Sequence, residues 1–247
     1  MPATPSWPPA SLPRLFVHQE LGEGMNLTLD GASANYLGNV LRLKEGAPVE
    51  LFDDRTGAWR ATIVETGRKR VTLDVAERLR LREAVPDLWL LFAPIKRGRI
   101  DWLIEKATEL GVDRLIPVMT RRTIVERLNL DRLRAHAIEA AEQCGRTALP
   151  TISEPTPLAK MLKGWPAERA LYFADESGGA PLLDAGRAGP AAILIGPEGG
   201  FTDEERAAIR ALPQACAITL GPRILRADTA ALAAITLWLA GAGAQGD

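Results

Sequence analysis

The chain reads as an α/β protein built in two parts, and three observations point there. To about residue 80, short alternating or β-branched runs are separated by turn signals, the pattern of a small all-strand unit. Beyond that point continuous apolar runs alternate with segments of helical period, as expected of a parallel sheet buried on both faces. Within this second part, two glycine-proline turns each follow an apolar run: Ala192–Ile195 leads into Gly196-Pro197, and Ala217–Leu220 into Gly221-Pro222. The expected division is 1–80 and 81–247.

Taken in order, Met1 to Pro13 carries five prolines and neither a basic start nor an apolar core, so it is read as a loose arm and not as a leader or membrane segment. Leu15–Val17, Pro48–Phe52, Trp59–Val64 and Arg70–Ala76 are the expected strands of a small barrel. One helix interrupts them, with Tyr36, Leu37, Val40, Leu41 and Leu43 on its apolar face and Lys44-Glu45-Gly46 ending it. Leu79 to Asp87 is the linker. Leu88–Ala93 is a doubly buried strand; Ile100, Leu103, Ile104, Ala107 and Leu110 mark a helix that Gly111 terminates; Leu115–Val118 is the next strand. Asp131–Cys144 is amphipathic, Ala170–Ala174 and Ala191–Ile195 are further buried strands, and Ala227–Ala240 is rich in alanine and leucine. Trp89, Trp102 and Trp238 fall within apolar patterns and are expected in the core or an interface.

The two glycine-proline loops are the candidate binding site. Gly199-Gly200 permits a sharp turn, and Thr202 with Glu205 forms a capping box at the start of a helix through Arg206 to Leu212. Two such strand-loop-helix units side by side place both loops at the carboxyl ends of neighbouring strands, where open α/β sheets bind ligands. Neither loop matches the P-loop or the GxGxxG fingerprint. Pro197 and Pro222 stiffen them and leave carbonyls as well as amides exposed, which suits a polar neutral or zwitterionic ligand such as an adenosine.

A chain with 47% hydrophobic and 25% charged residues can bury a substantial core. Cys144, Cys216, His18 and His136 are too few and too scattered for a metal site or a disulfide framework, so no metal is expected and a reducing, cytoplasmic setting fits best. The net charge of -1 argues against a nucleic-acid partner, but from Pro94 to Arg134 ten Lys or Arg face six Asp or Glu, 10 - 6 = +4. Lys96, Arg97, Arg99, Arg121, Arg122 and Arg127 in that stretch are candidate phosphate contacts, the alternative being a solvated rim or an intersubunit salt-bridge set.

Taken together, GPEGGFTDEE and LGPRILRADTAA resemble the SPOUT superfamily of RNA methyltransferases, and most closely its family of bacterial 16S ribosomal RNA uridine-N3 methyltransferases. Arg14–Val17, LGNVLRLKEG at Leu37–Gly46, Lys96–Arg99 with Asp101-Trp102, Glu105–Val112 and Arg121-Arg122 extend the resemblance over nearly the whole chain. The resemblance implies a deep trefoil knot in the second domain, a PUA-like RNA-binding barrel in the first, and a homodimer. It also implies an S-adenosylmethionine pocket drawn from Phe173, Ala174, Ile195, Gly196, Pro197, Glu198, Gly199, Gly200, Leu220, Gly221, Arg223, Ile224, Leu225 and Ala230, with the loop at Phe173-Ala174-Asp175-Glu176 as a further wall, the alternative for that loop being an acidic turn without a ligand. Arg14 and Arg42 join Lys96, Arg97, Arg99, Arg121 and Arg122 as implied contacts to 16S RNA of the small ribosomal subunit, with the target uridine at position 1498. Independently of the resemblance, Thr229–Leu239 is apolar on nearly every side, as a helix covered by a second subunit would be.

Methylation at N3 of uridine needs a base out of its stack, a methyl group held in line and loss of a weakly acidic proton. A guanidinium near the uracil carbonyls would stabilise the developing anion, and Arg226 is the candidate; Glu198 is the candidate proton acceptor, unless it serves only the helix start. Ala227 and Asp228 stand where the family carries threonine and glutamate. A catalytically silent RNA-binding assembly protein, or an enzyme acting on a transfer RNA ribose, would share these motifs.

Overall fold

The computed structural model describes residues 12–67, 69–125, 127–185 and 189–243, so the proline-rich arm lies outside the described residues but for Leu12 and Pro13. The chain divides into two compact units, Met1–Ala84 with Ala141–Ala148, and Val85–Ala140 with Leu149–Asp247.

The first unit contains β1 (Arg14–Phe16), β2 (Met25–Asp30), α1 (Gly31–Asn35), β3 (Pro48–Phe52), β4 (Ala58–Thr66) and β5 (Arg70–Arg80). They form one sheet in the order β1-β3-β4-β5-β2, curled into a half-barrel, with register shifts between β4 and β5 that increase its twist. Its core is a single cluster including Leu27, Leu37, Val49, Leu51, Ile63 and Leu73. β2 was not expected from the sequence, although Leu27 and Leu29 alternate with polar residues and are its buried positions. The expected helix over Tyr36–Leu43 is also different. α1 ends at Asn35 and continues as a π turn over Tyr36–Val40, with Leu41 N donating to Tyr36 O at 2.9 Å. The extra residue per turn rephases the apolar stripe, so Leu37 is fully buried whereas Val40 is 61% exposed.

The second unit holds β6 (Leu88–Phe92), α2 (Arg99–Glu109), β7 (Arg114–Met119), most of α3 (Leu130–Cys144), β8 (Thr151–Ile152), β9 (Thr156–Pro157), α4 (Leu158–Lys163) and β10 (Ala170–Ala174). It continues through β11 (Ala180–Pro181), α5 (Leu182–Ala185), β12 (Ala191–Ile195), α6 (Asp203–Arg210), β13 (Ala215–Thr219) and α7 (Ala227–Gly243). The sheet is parallel, in the order β11-β13-β10-β12-β6-β7-β8, with β9 beside β7. Both faces are apolar because both are covered. Leu88, Leu90, Phe92, Ile193 and Tyr172 face one core, with α2, α3, α5 and α7 residues; Leu91, Leu194, Leu171 and Phe173 face the other, with α4 and α6 residues. Gly111, at φ +89°, closes α2 in a Schellman motif: its N–H donates to Thr108 O and that of Val112 to Ala107 O.

One expectation needs correction. The strands that end in the two glycine-proline loops are not neighbours, because β10 lies between them, with Tyr172 in register with both Ile193 and Cys216. The floor between the loops is therefore the end of β10. Trp238 is buried as expected, but Trp102 is 41% exposed.

Candidate active site

A cavity of about 340 Å³ opens at the carboxyl ends of β10, β12 and β13. Its walls are three connecting loops. The β10 loop supplies Ala174, Asp175, Glu176 and Gly178; the first glycine loop supplies Ile195–Glu198, Gly200 and Phe201; the second supplies Leu220–Arg226, with Ala230 beyond it on α7. Twelve of the fourteen residues expected to hold a cofactor thus line one cavity. Phe173 and Gly199 do not. Phe173 is fully buried in the core on the α6 side, one residue out of phase with Tyr172, while Ile195, Ile218 and Ala230 belong to the opposite core. Gly199 packs instead against the Arg122 side chain, 3.3 Å from where a Cβ would stand, and its carbonyl accepts from Arg122 Nη1 at 2.6 Å.

The loops are built to come close together. Gly200 has φ +69°, a left-handed conformation that favours glycine, and the Glu176 carboxylate of the β10 loop stands 2.8 Å from where a Cβ would be, so the first glycine loop and the β10 loop meet there. Gly221 has φ +109° and Thr219 Oγ1 accepts from its N–H at 3.4 Å, which pins the second loop's entry. α6 starts with the expected capping box: Thr202 Oγ1 accepts from Glu205 N at 3.2 Å and Glu205 Oε2 from Thr202 N at 2.9 Å. Glu205 Oε1 also accepts from Arg121 N at 2.7 Å. Capping is therefore complete without Glu198, which stays exposed at the cavity wall.

The resemblance makes the loop at Phe173–Glu176 a wall of the pocket, and Ala174, Asp175 and Glu176 do line it; what sequence reasoning missed is the bracing role of Asp175 within that loop. The Asp175 side chain is 0% exposed; Arg210 Nη2 donates to Oδ2 at 2.7 Å, Arg206 Nε lies 3.1 Å from Oδ1, and Ser177 donates to Oδ1 from both N and Oγ. Its backbone N–H donates to Ile218 O at 3.2 Å, so it ties the β10 loop to both α6 and β13. Burial alone would raise the pKa of this carboxyl, but the hydrogen bonds from Arg210 and Ser177 and the charge of Arg206 outweigh it and hold the group below the ordinary value. A carboxylate held down in this way stabilises the fold fully above its unfolded pKa and loses that contribution as pH falls through the lower folded one. Asp175→Asn should therefore cost about 2 kcal/mol at neutral pH, with half-exposed Arg210 able to rehydrate, and the gap from the native protein should close below about pH 4. Urea unfolding at pH 7 and pH 3 measures both; an equal gap at the two values would show that charge is not what Asp175 contributes. The only signal in the sequence was the i, i+4 spacing of Arg206 and Arg210, which reads equally well as a solvated helix face.

The expected RNA contacts are placed less uniformly. Lys96 and Arg97 are exposed, Arg99 is half-buried at the start of α2, and Arg121 is exposed. Arg122 is also exposed, but its guanidinium braces the first glycine loop. In the first unit, Arg42 is exposed with φ +54°. Arg14 is not a free phosphate ligand: Nε donates to Glu50 Oε1 at 2.8 Å, and its two Nη atoms donate to the carbonyls of Ala141, Glu142 and Arg146. Arg226 is exposed at the cavity mouth, its carbonyl accepting from Ala230 N at 2.8 Å as the first bond of α7.

A family model described as an RNA methyltransferase domain matches residues 82–239, and one described as an RNA methyltransferase PUA domain matches residues 29–76. The ribosomal RNA small subunit methyltransferase E of Rickettsia conorii is 30% identical over 228 residues, covering 90% of this chain and 93% of that protein. The chain belongs to the ribosomal RNA small subunit methyltransferase E family. The Synechocystis member is also 30% identical, over 90% of this chain and 75% of its own length. Among solved structures, the Neisseria gonorrhoeae methyltransferase E bound to S-adenosyl methionine superposes with a TM-score of 0.85 at 29% identity, covering 92% of this chain and 96% of that one. A Legionella pneumophila methyltransferase in complex with the same cofactor gives 0.85 at 27% identity, covering 93% and 98%. Membership fixes the α/β fold as that of a SPOUT methyltransferase with an N-terminal PUA unit. Among the described residues, no helix is long and apolar enough to cross a membrane and no group of three or more metal-ligating side chains gathers.

Proposed function

We propose that this methyltransferase transfers a methyl group from S-adenosylmethionine to N3 of a uridine in 16S ribosomal RNA, position 1498 by family resemblance, and works as a cytoplasmic homodimer. The observation that carries this is the cavity at the ends of β10, β12 and β13, formed by twelve of the residues that the family resemblance picks out, in a chain whose solved relatives hold S-adenosylmethionine.

The residues fit that molecule. Ile195, Ile218, Leu220, Leu225 and Ala230 give an apolar wall for a flat adenine, while Gly196, Gly200 and Gly221 let the backbone approach its polar edges. Glu176 and Glu198 supply negative charge for a ligand that bears both a sulfonium and an ammonium. When bound, S-adenosylmethionine supplies a methyl carbon whose bond to sulfur breaks as the bond to N3 forms, leaving a neutral thioether. In this reading Arg226 stabilises the negative charge that the uracil carbonyls gain and Glu198 accepts the N3 proton, directly or through water; that both line the cavity supports it. Arg122 holds the first glycine loop in place for both partners. In this reading residues 1–80 grip RNA, with Arg42 on that side and Lys96, Arg97, Arg99 and Arg121 on residues 81–247.

α7 supports the dimer. Ala231, Ala234, Ile235 and Trp238 are buried against the core, yet Leu232, Leu237 and Leu239 remain half-exposed on a helix without a polar stripe. The dimer should persist on dilution in light scattering, and mixing Arg226→Ala with Arg97→Ala subunits should recover activity if each site borrows a basic residue from its partner. A monodisperse monomer ends the dimer proposal. The function itself is tested by mass spectrometry of ribosomal RNA from a strain lacking the protein: one methylated uridine should disappear, and an unchanged profile would favour a silent binder.

A further inference from the structure

Ile224 is 91% exposed, the highest value for a large apolar side chain among the described residues. It sits at the mouth of the cavity on the second glycine loop, between Arg223 and Arg226, both exposed. The neighbouring Leu225 turns the other way and packs on the core, which leaves Leu225 to the cofactor and takes Ile224 out of the set that the resemblance assigns to S-adenosylmethionine. Water contact on this scale is costly for an aliphatic group on a stiff loop, and this loop is stiff: Pro222 fixes its φ, Thr219 bonds Gly221 at its entry, and α7 begins three residues on. So Ile224 is held out on a stiff loop, with one exposed arginine just before it in the chain and a second two residues after it. No carboxylate pairs with either guanidinium among the described residues.

Building on the proposed function, we propose that Ile224 is a wedge that enters the base stack of the RNA beside the target uridine, while Arg223 holds a flanking phosphate and Arg226 stays at the uracil carbonyls. A base that must reach the cavity leaves a gap in its stack, and an aliphatic side chain of this size can fill it. The two flanking cations favour a polyanionic occupant over a second copy of the chain or a neutral peptide. The wedge would lose its exposure to water only when the base is out, so its burial contributes to the flipped state and not to the initial encounter.

The experiment uses the full-length protein with small ribosomal subunits reconstituted from 16S RNA that carries 2-aminopurine next to the target uridine, a base whose fluorescence rises when it unstacks. With S-adenosylhomocysteine present, the native protein should raise the signal on binding, Ile224→Ala should lose most of the rise, and Ile224→Leu should keep it. On unlabelled subunits, Ile224→Ala should methylate about 30-fold more slowly, the scale of one unburied aliphatic side chain, with calorimetric affinity for S-adenosylmethionine and particle mass unchanged. No rise with the native protein, or an equal rise with Ile224→Ala, overturns the wedge. It is equally overturned if cofactor affinity falls as far as the rate, which makes Ile224 a cofactor wall, or if the particle mass changes, which makes it a subunit contact. A native protein that unstacks the probe through Ile224 yet transfers no methyl group would leave the wedge standing and remove the methylation reading.

Discussion

Gly221→Val should abolish measurable S-adenosylmethionine binding, a loss of at least about 100-fold by calorimetry, while circular dichroism stays native. At φ +109° a β-branched residue is in a region it rarely adopts. No heavy atom lies within 4 Å of where the Cβ would stand, so the isopropyl group would meet no protein obstacle where the cofactor has to sit. The loop is exposed, so the strain stays local. Gly196→Val is a less clean experiment, because its Cβ would come within 3.0 Å of the buried Phe201 ring and the core would feel it. Undiminished affinity in Gly221→Val would remove the second loop from the cofactor site.

The second large effect is expected at Arg226. Replacing it with alanine should lower kcat by about 100- to 1000-fold, the range for losing a charge aimed at a developing anion, with cofactor affinity intact. Lysine should restore part of the rate, since the charge returns without the planar fork. If KM for RNA rises and kcat does not fall, Arg226 binds phosphate and the anion is stabilised elsewhere.

Much of this fold could be read from the chain because particular segments were consistent at every level. Leu88–Phe92, Ala170–Ala174 and Ala191–Ile195 are apolar throughout because both sheet faces are covered, and Thr202 with Glu205 and Gly111 are helix ends that local chemistry alone determines. The same uniformity hid the error at Phe173: where both faces are apolar, a period of two does not tell which face borders a cavity. The placement of β10 between β12 and β13 is a matter of tertiary order, which no local pattern carries, and so is the threading that the family resemblance implies. Asp175 lies 35 residues before Arg210 in the chain, and the two could be recognised with Arg206 as a unit only after folding brought them together. Arg14 entered the RNA set through the resemblance, and no local pattern says that its guanidinium is taken up by Glu50 and three backbone carbonyls, because a bracing arginine and an RNA-binding one are the same residue type.

The position of the cavity along the chain also bears on synthesis. Its walls are encoded in three instalments, ending with residues 220–226 and Ala230, and Asp175 N reaches its partner only when Ile218 has been made. A nascent chain therefore has no complete receptor for its cofactor until the C-terminal helix emerges, and the free energy of binding, which favours only states that bind, is withheld from every shorter product. A message cut before residue 218 would yield a polypeptide that no concentration of S-adenosylmethionine can rescue, leaving it to proteolysis while finished molecules are protected.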